Sequence, residues 1–284
     1  MLKNTRTQAL FRNPRVWFGG VILLAFIIMA LFAPLLAPHD PLKQDLMSSL
    51  LPPSWLEGSD ASFPLGTDSL GRDVLSRIIF GARTALLVAI IAASLAALLG
   101  TFLGLVSGFF GGWVDMLISR LVDIWMAFPA VLLSIVLVAV MGTGLHSVII
   151  AIAIIDWTRF CRIIRSEVLV QKEQDYIASA RNLGFSNWRT VFSEILPNVL
   201  PLLLTLFTLE LGIAIIVEAI LSFVGLSLSS DTPTWGGLIQ EGRQIIYQAW
   251  WVMTAPIICL VLIVMALNAL GDGLRNVFDP VMQR

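Results

Sequence analysis

Charge is scarce in this chain: of 284 residues only 13% are Asp, Glu, Lys or Arg, against 57% hydrophobic. An ordinary soluble domain cannot hide that much apolar surface, so a water-soluble globular fold is excluded, and the mean hydropathy of +0.88 points to a multi-span membrane protein. Cysteine is nearly missing, with Cys161 and Cys259 alone, both in or beside apolar runs. A disulfide framework is thereby ruled out, and buried free thiols are expected. The two histidines, His39 and His146, belong to no Cys or His cluster, so no metal site is expected. Only three lysines occur, Lys3, Lys43 and Lys172, and none follows a glycine. A phosphate-binding loop ends in Gly-Lys-Ser/Thr, so the chain has no ATPase motif of its own. No nucleophile, base and metal set converges, which argues against an enzyme. A net charge of -1 argues against a nucleic-acid partner.

What is there in quantity is hydrophobic sequence of bilayer length. A hydrocarbon core of about 30 Å needs roughly 20 helical residues per crossing. Six spans are predicted, near residues 16 to 37, 84 to 108, 117 to 141, 146 to 166, 199 to 225 and 249 to 271, with Gly142, Gly144 and His146 marking the turn between the third and fourth. Lys3, Arg6, Arg12 and Arg15 form a basic leader, but the apolar run from Val16 to Ala37 exceeds a signal-peptide core, and Pro34 and Pro38 disfavour cleavage, so a retained anchor is expected. With the N-terminus inside, 13 of the 18 Lys and Arg fall on or near the cytoplasmic side. That bias predicts cytoplasmic N- and C-termini and a cytoplasmic insert at 166 to 198.

The insert carries the most pointed local signal. In residues 175 to 197, Tyr176, Ile177, Ala180 and Leu183 recur at helical spacing and form one narrow apolar face. Gly184 then stops the helix. Ser186 and Asn187 are placed to cap a second short helix, with Trp188, Val191, Phe192 and Ile195 on one face and Pro197 as its end. Helix, Gly turn, helix and Pro make a compact knob between two spans.

Elsewhere three features stand out. In the long external loop, residues 38 to 83, Asp68 is expected to cap an interfacial helix in which Asp73 and Arg77 pair and Val74, Leu75, Ile78 and Ile79 supply the apolar side. Span two carries small residues four apart, Ala92, Ala96, Gly100, Gly104, Gly108 and Gly112, a ridge for close helix packing; it suits either another helix of this chain or the seam with a second subunit. Within the spans, Arg120 with Asp123 and Asp156 with Arg159 are three apart, and pairing offsets the roughly 2.5–3.5 kcal/mol that a lone charge costs at the bilayer centre. Asp156 and Arg159 are thus candidates for structural pairing or for a translocation path. Glu210 and Glu218 have no sequence-local cation and are stronger candidates to face such a path, with an interhelical hydrogen bond as the equal alternative.

Several motifs carry a family resemblance. Ala178-Ser179-Ala180, Gly184 and Glu194-Ile195-Leu196-Pro197 resemble the EAA loop of permease subunits in bacterial binding-protein-dependent ABC importers, with Ala178 in place of the signature Glu and Glu194 in place of a hydrophobic residue. Gly66-Thr67-Asp68 with Gly71-Arg72-Asp73-Val74-Leu75-Ser76-Arg77 resembles the C-type permeases of dipeptide and oligopeptide importers. So do Glu218 to Leu226, Thr232-Pro233-Thr234-Trp235-Gly236 (Asp231 replacing a proline), and Asn268 to Arg275 with Asp279-Pro280.

The resemblance implies an all-α membrane protein of the type I ABC importer permease fold, in the bacterial cytoplasmic (inner) membrane. It divides the chain into residues 1–83, with the tail, first transmembrane helix and external loop, and 84–284, a permease core of five transmembrane helices with the coupling loop. It implies that Asp175, Tyr176, Ala178, Ser179, Ala180, Leu183 and Gly184 meet an ATPase. The implied partners are a second homologous permease, two cytoplasmic ATPase subunits and an external binding protein, with ATP and Mg held by the ATPases and no cofactor on this chain. Dipeptides or oligopeptides are the implied cargo, with nickel chelates or glutathione as competitors. A different class, an ion-gradient-driven secondary transporter using Glu210 and Glu218, lacks the expected inverted repeat or broken helix pair.

Overall fold

A computed structural model describes residues 13–227 and 232–278, without the side chains of 277 and 278. Expectations for Lys3, Arg6, Arg12, Asp231, Asp279, Pro280 and Arg284 lie outside the described residues. The rest is all-helical among those residues, in the order α1 Pro14–Leu31, α2 Val74–Phe110, α3 Gly112–Met126, α4 Ala130–Met141, α5 Leu145–Lys172, α6 Asp175–Asn182, α7 Leu196–Phe223, α8 Trp235–Gln244 and α9 Trp250–Phe278. Helices α1, α2 and α9, and the run Asn187–Phe223 that contains α7, are long and apolar enough to cross a membrane, and α3 with α4 makes a fifth if the pair counts as one bent span. Predicted span four, 146 to 166, coincides with α5, but Asp156, Arg159, Arg162 and Arg165 leave it outside that count.

Glycine lets the helices approach. A Cβ built on Gly100 would come 2.3 Å from the Trp157 carbonyl oxygen, one on Gly104 2.8 Å from that of Cys161, and one on Gly108 2.8 Å from the Val168 Cβ. The ridge of α2 therefore lies against α5 of the same chain. On the other side of the bundle, Gly19 lets α1 reach α9, where a Cβ would meet the Ala266 carbonyl oxygen at 2.4 Å. In lipid such van der Waals contact replaces the hydrophobic drive.

Two predicted spans are altered. Residues 117 to 141 are broken by 88° between α3 and α4, because Phe128 precedes Pro129 and is steered away from the α region. Pro197 does not end a helix. It lies in the first turn of α7, where its missing N–H is tolerated, and the preceding Thr190–Ile195 widens into a π turn that joins the two segments.

In the external loop the predicted cap is displaced. Asp73, not Asp68, caps α2 by accepting from the amides of Leu75 and Ser76, so the interfacial helix and span two form one rod of 37 residues, about 55 Å at 1.5 Å per residue. Arg77 consequently pairs elsewhere. It donates to Asp68 and Glu241, and Arg72 donates to the same two carboxylates at 2.7 and 2.8 Å. This buried cluster ties the loop to α8. Thr67 and its neighbours finish the join: Thr67 accepts at its carbonyl from the Trp251 indole (3.1 Å), and its hydroxyl donates to Ser48 O (2.6 Å). Gly71 (φ +71°) has the Asp45 carbonyl oxygen where a side chain would begin. Trp251 is therefore turned inward, whereas Trp250 is exposed.

Substituting Gly100→Val should destabilise the protein by about 1–3 kcal/mol through overpacking. Gly212→Ala, whose Cβ would meet nothing closer than Leu267 at 3.9 Å, should leave it unchanged or slightly more stable, both read by thermal unfolding in detergent.

Candidate functional site

The knob forms as a helix, a left-handed glycine and a second segment. Helix α6 ends when Gly184 adopts φ +80°, with its amide donating to Arg181 O at 2.9 Å and that of Phe185 to Ala180 O at 3.1 Å. Ser186 then accepts from the Arg189 amide at 3.4 Å. Ile177 and Ala180 are buried, and Ile177 roots the knob in a core with Leu105, Ile164, Val191 and Ile195. Tyr176 is half-buried and donates to Gln171 at 2.6 Å; burial raises its phenol above the ordinary range.

The predicted apolar faces are only partly buried. Leu183 lies beyond the last helical residue and is 76% exposed, so it forms the tip with Gly184 rather than joining Ile177 and Ala180. Asp175, Ala178 and Ser179 are also exposed, Ser179 satisfying its hydroxyl on Asp175 O at 2.9 Å. In the second segment Val191 and Ile195 face inward, while Trp188 and Phe192 face outward.

The membrane charges assemble differently from their sequence spacing. Arg159 lies 3.8 Å from Asp156 as predicted, but its guanidinium also reaches Glu210 on α7 at 3.3 Å. Glu210, with no cation nearby in sequence, thus takes one from 51 positions away. Asp156 and Glu210, 2% and 4% exposed, share that one guanidinium. Glu218 stands apart from that trio, accepting from the hydroxyls of Ser222 (2.5 Å) and Ser227 (3.4 Å). Asp123 pairs with Arg162 at 3.2 Å, not with Arg120, which is exposed. Sequence reasoning missed this pair and the bidentate contact of Arg165 with Asp115. The two border a cleft of about 260 Å³ between α3 and α5, with Cys161 at its wall. No group of His, Cys, Asp and Glu among the described residues could hold a metal ion.

With this geometry in place, likeness to known proteins is informative. Residues 100–284 match the family described as binding-protein-dependent transport system inner membrane component, and residues 7–53 match the N-terminal TM domain of oligopeptide transport permease C. The di/tripeptide transport system permease protein DppC of Pseudomonas aeruginosa (strain UCBPP-PA14) is 40% identical over 97% of this chain and 91% of its own. The dipeptide transport system permease protein DppC of Escherichia coli (strain K12) is 41% identical over 96% and 91%. The glutathione transport system permease protein GsiD of Salmonella paratyphi A is 42% identical over 92% and 85%. Among solved structures, an inward-facing MetNI methionine ABC transporter chain superposes with a TM-score of 0.60 at 21% identity, covering 72% of this chain and 96% of that one. The two share the type I ABC importer permease fold.

Replacing Arg159 by Met strands two buried carboxylates. The variant should lose about 3 kcal/mol of stability in thermal unfolding, Glu210→Met added to it should restore part of the loss, and Arg120→Met should be near neutral.

Proposed function

Because this chain belongs to the family of binding-protein-dependent transport system inner membrane components, we propose that it is the permease subunit of an ATP-driven dipeptide importer of the bacterial inner membrane. It crosses the membrane six times, with α5 as a span and the α3–α4 pair as one bent span, and both termini face the cytoplasm. An anchor and external loop lead into a five-span core, and the continuous helix α2, Val74–Phe110, carries the chain across residue 84 between them. The chain carries no ATPase motif, so its energy arrives from outside it. Two ATPase subunits holding ATP and Mg, a second permease and an external binding protein complete the machine.

One observation carries the mechanism: a knob rooted through Ile177, with Ala180 also buried, presents a bare tip at Leu183 and Gly184. Asp175, Tyr176, Ala178 and Ser179 flank that tip. An ATPase that grips the tip moves a segment packed against α2 and α5, and the ridge of Gly100, Gly104 and Gly108 carries the displacement into the bundle. The acid–arginine trio Asp156, Arg159 and Glu210, with Glu218 further along α7, lies along the route by which a charged peptide passes between the permeases. Glutathione is the second reading, since GsiD proteins are similar at 42% and 38% identity.

Gly184→Pro imposes φ near −65° where +80° is needed, and Ala180→Glu puts a charge into the buried root. In vesicles carrying the whole transporter, both should insert normally yet lower ATP-driven dipeptide uptake roughly 5- to 150-fold, a coupling of 1–3 kcal/mol. Undiminished uptake, or uptake that persists without ATP and collapses with the ion gradient, would refute the proposal; a preference for glutathione over dipeptides would select the second reading.

A further inference from the structure

Three aromatic rings on two elements form a row at the base of the knob. Phe110, the last residue of α2, lies 5.3 Å from Trp188, which stacks on Phe192 at 5.8 Å. All are 39–49% exposed. The row continues two apolar stripes. Above Phe110 the outward face of α2 shows Leu95, Leu98 and Phe102, and beyond Phe192 that of α7 shows Leu200 and Leu204, all exposed. Beside the row, the Arg189 guanidinium lies 3.9 Å over the Phe185 ring, and Arg181 lies 5.6 Å from that of Phe109. Both arginines are exposed, and neither has an ion pair among the described residues.

We propose that this row is a lipid-docking surface, at which Trp188 and Phe192 lie in the headgroup region of the inner leaflet and Arg189 and Arg181 reach phospholipid phosphates. Trp188, whose indole N–H gives it one polar edge, favours that layer, Phe192 stacks on it from the apolar side, and basic residues beside the row are drawn to anionic lipid. Continuity decides for lipid over a protein partner: the row lies at the lower edge of apolar side chains exposed along two spans, which Phe110 and Trp188 join ring to ring. The knob then has two partners. Its tip at Leu183 meets the ATPase while its second segment is held by the leaflet, and the π turn at Thr190–Ile195 joins the held segment to α7. The inference rests on the cytoplasmic placement given under Proposed function.

The test uses the complete transporter in vesicles of phosphatidylethanolamine and phosphatidylglycerol, in a Cys161→Ala, Cys259→Ala background that retains uptake. Nitroxide is attached at Trp188→Cys, Phe192→Cys or Leu183→Cys, and relaxation by oxygen is compared with relaxation by a water-soluble nickel chelate. At positions 188 and 192 oxygen should act several-fold more strongly than the chelate. Equal access by the chelate, or exclusion of both agents by a protein cover, overturns the proposal. A lipid signal at position 183 instead overturns the placement of the tip, and so the reading on which this one rests. Should the labelled variants fail to assemble, brominated lipid must quench the tryptophan fluorescence of the unsubstituted chain more than that of Trp188→Phe; equal quenching overturns the proposal.

Discussion

Contact between α2 and α5 at backbone distance is the constraint on which the rest of the bundle depends. Lipid tails are as apolar as leucine, so helices in a bilayer gain little by hiding hydrophobic surface from it, and association falls to van der Waals packing and polar contacts. Gly100, Gly104 and Gly108 bring one helix onto the carbonyls of the other. That contact fixes α5, and with it the position of Arg159 against Glu210 and of the root into which Ile177 packs. The knob, the charged trio and the long rod are consequences of one seam that tolerates no side chain beyond hydrogen.

Polar chemistry is handled differently at two levels. In the external loop, Asp68, Arg72, Arg77 and Glu241 balance two negative charges with two positive ones at short range, which makes a loop of many small turns behave as part of the bundle. Within the spans, Arg159 serves two carboxylates at 3.3 and 3.8 Å, a looser arrangement with one cation for two acids. The first arrangement is that of a fastening. The second leaves the Arg159 guanidinium more than a third exposed.

Periodicity revealed most of the architecture because it is local. The knob, Gly184 as its turn, the small-residue ridge and five of the helical runs each announce themselves within a dozen residues. What escaped notice depends on contacts between distant residues or on competition between neighbours. Arg165 meets Asp115 from 50 positions away, and no spacing rule can pair them. Asp73 takes the cap from Asp68 because Asp68 is engaged by two arginines, both of them also held by Glu241 on α8. Pro197 was misread as an end, since a proline in the first turn of a helix looks in sequence like one just past the last. Trp251, next to the exposed Trp250, is turned inward by a carbonyl at Thr67, a contact 184 positions away in sequence. Of the candidate site, the tip of the knob was legible, while the partners of Glu210 and Arg162 became visible only in three dimensions.

Helix α2 is far longer than a bilayer is thick, and it ends at the Asp73 cap on one side and at Phe110 beside Trp188 on the other. Thermodynamic reciprocity follows from a stiff body anchored at both extremities. Any ligand that binds at one end and favours one tilt of the rod must, at equilibrium, change the affinity of whatever binds at the other end, and the second must change the first by the same factor.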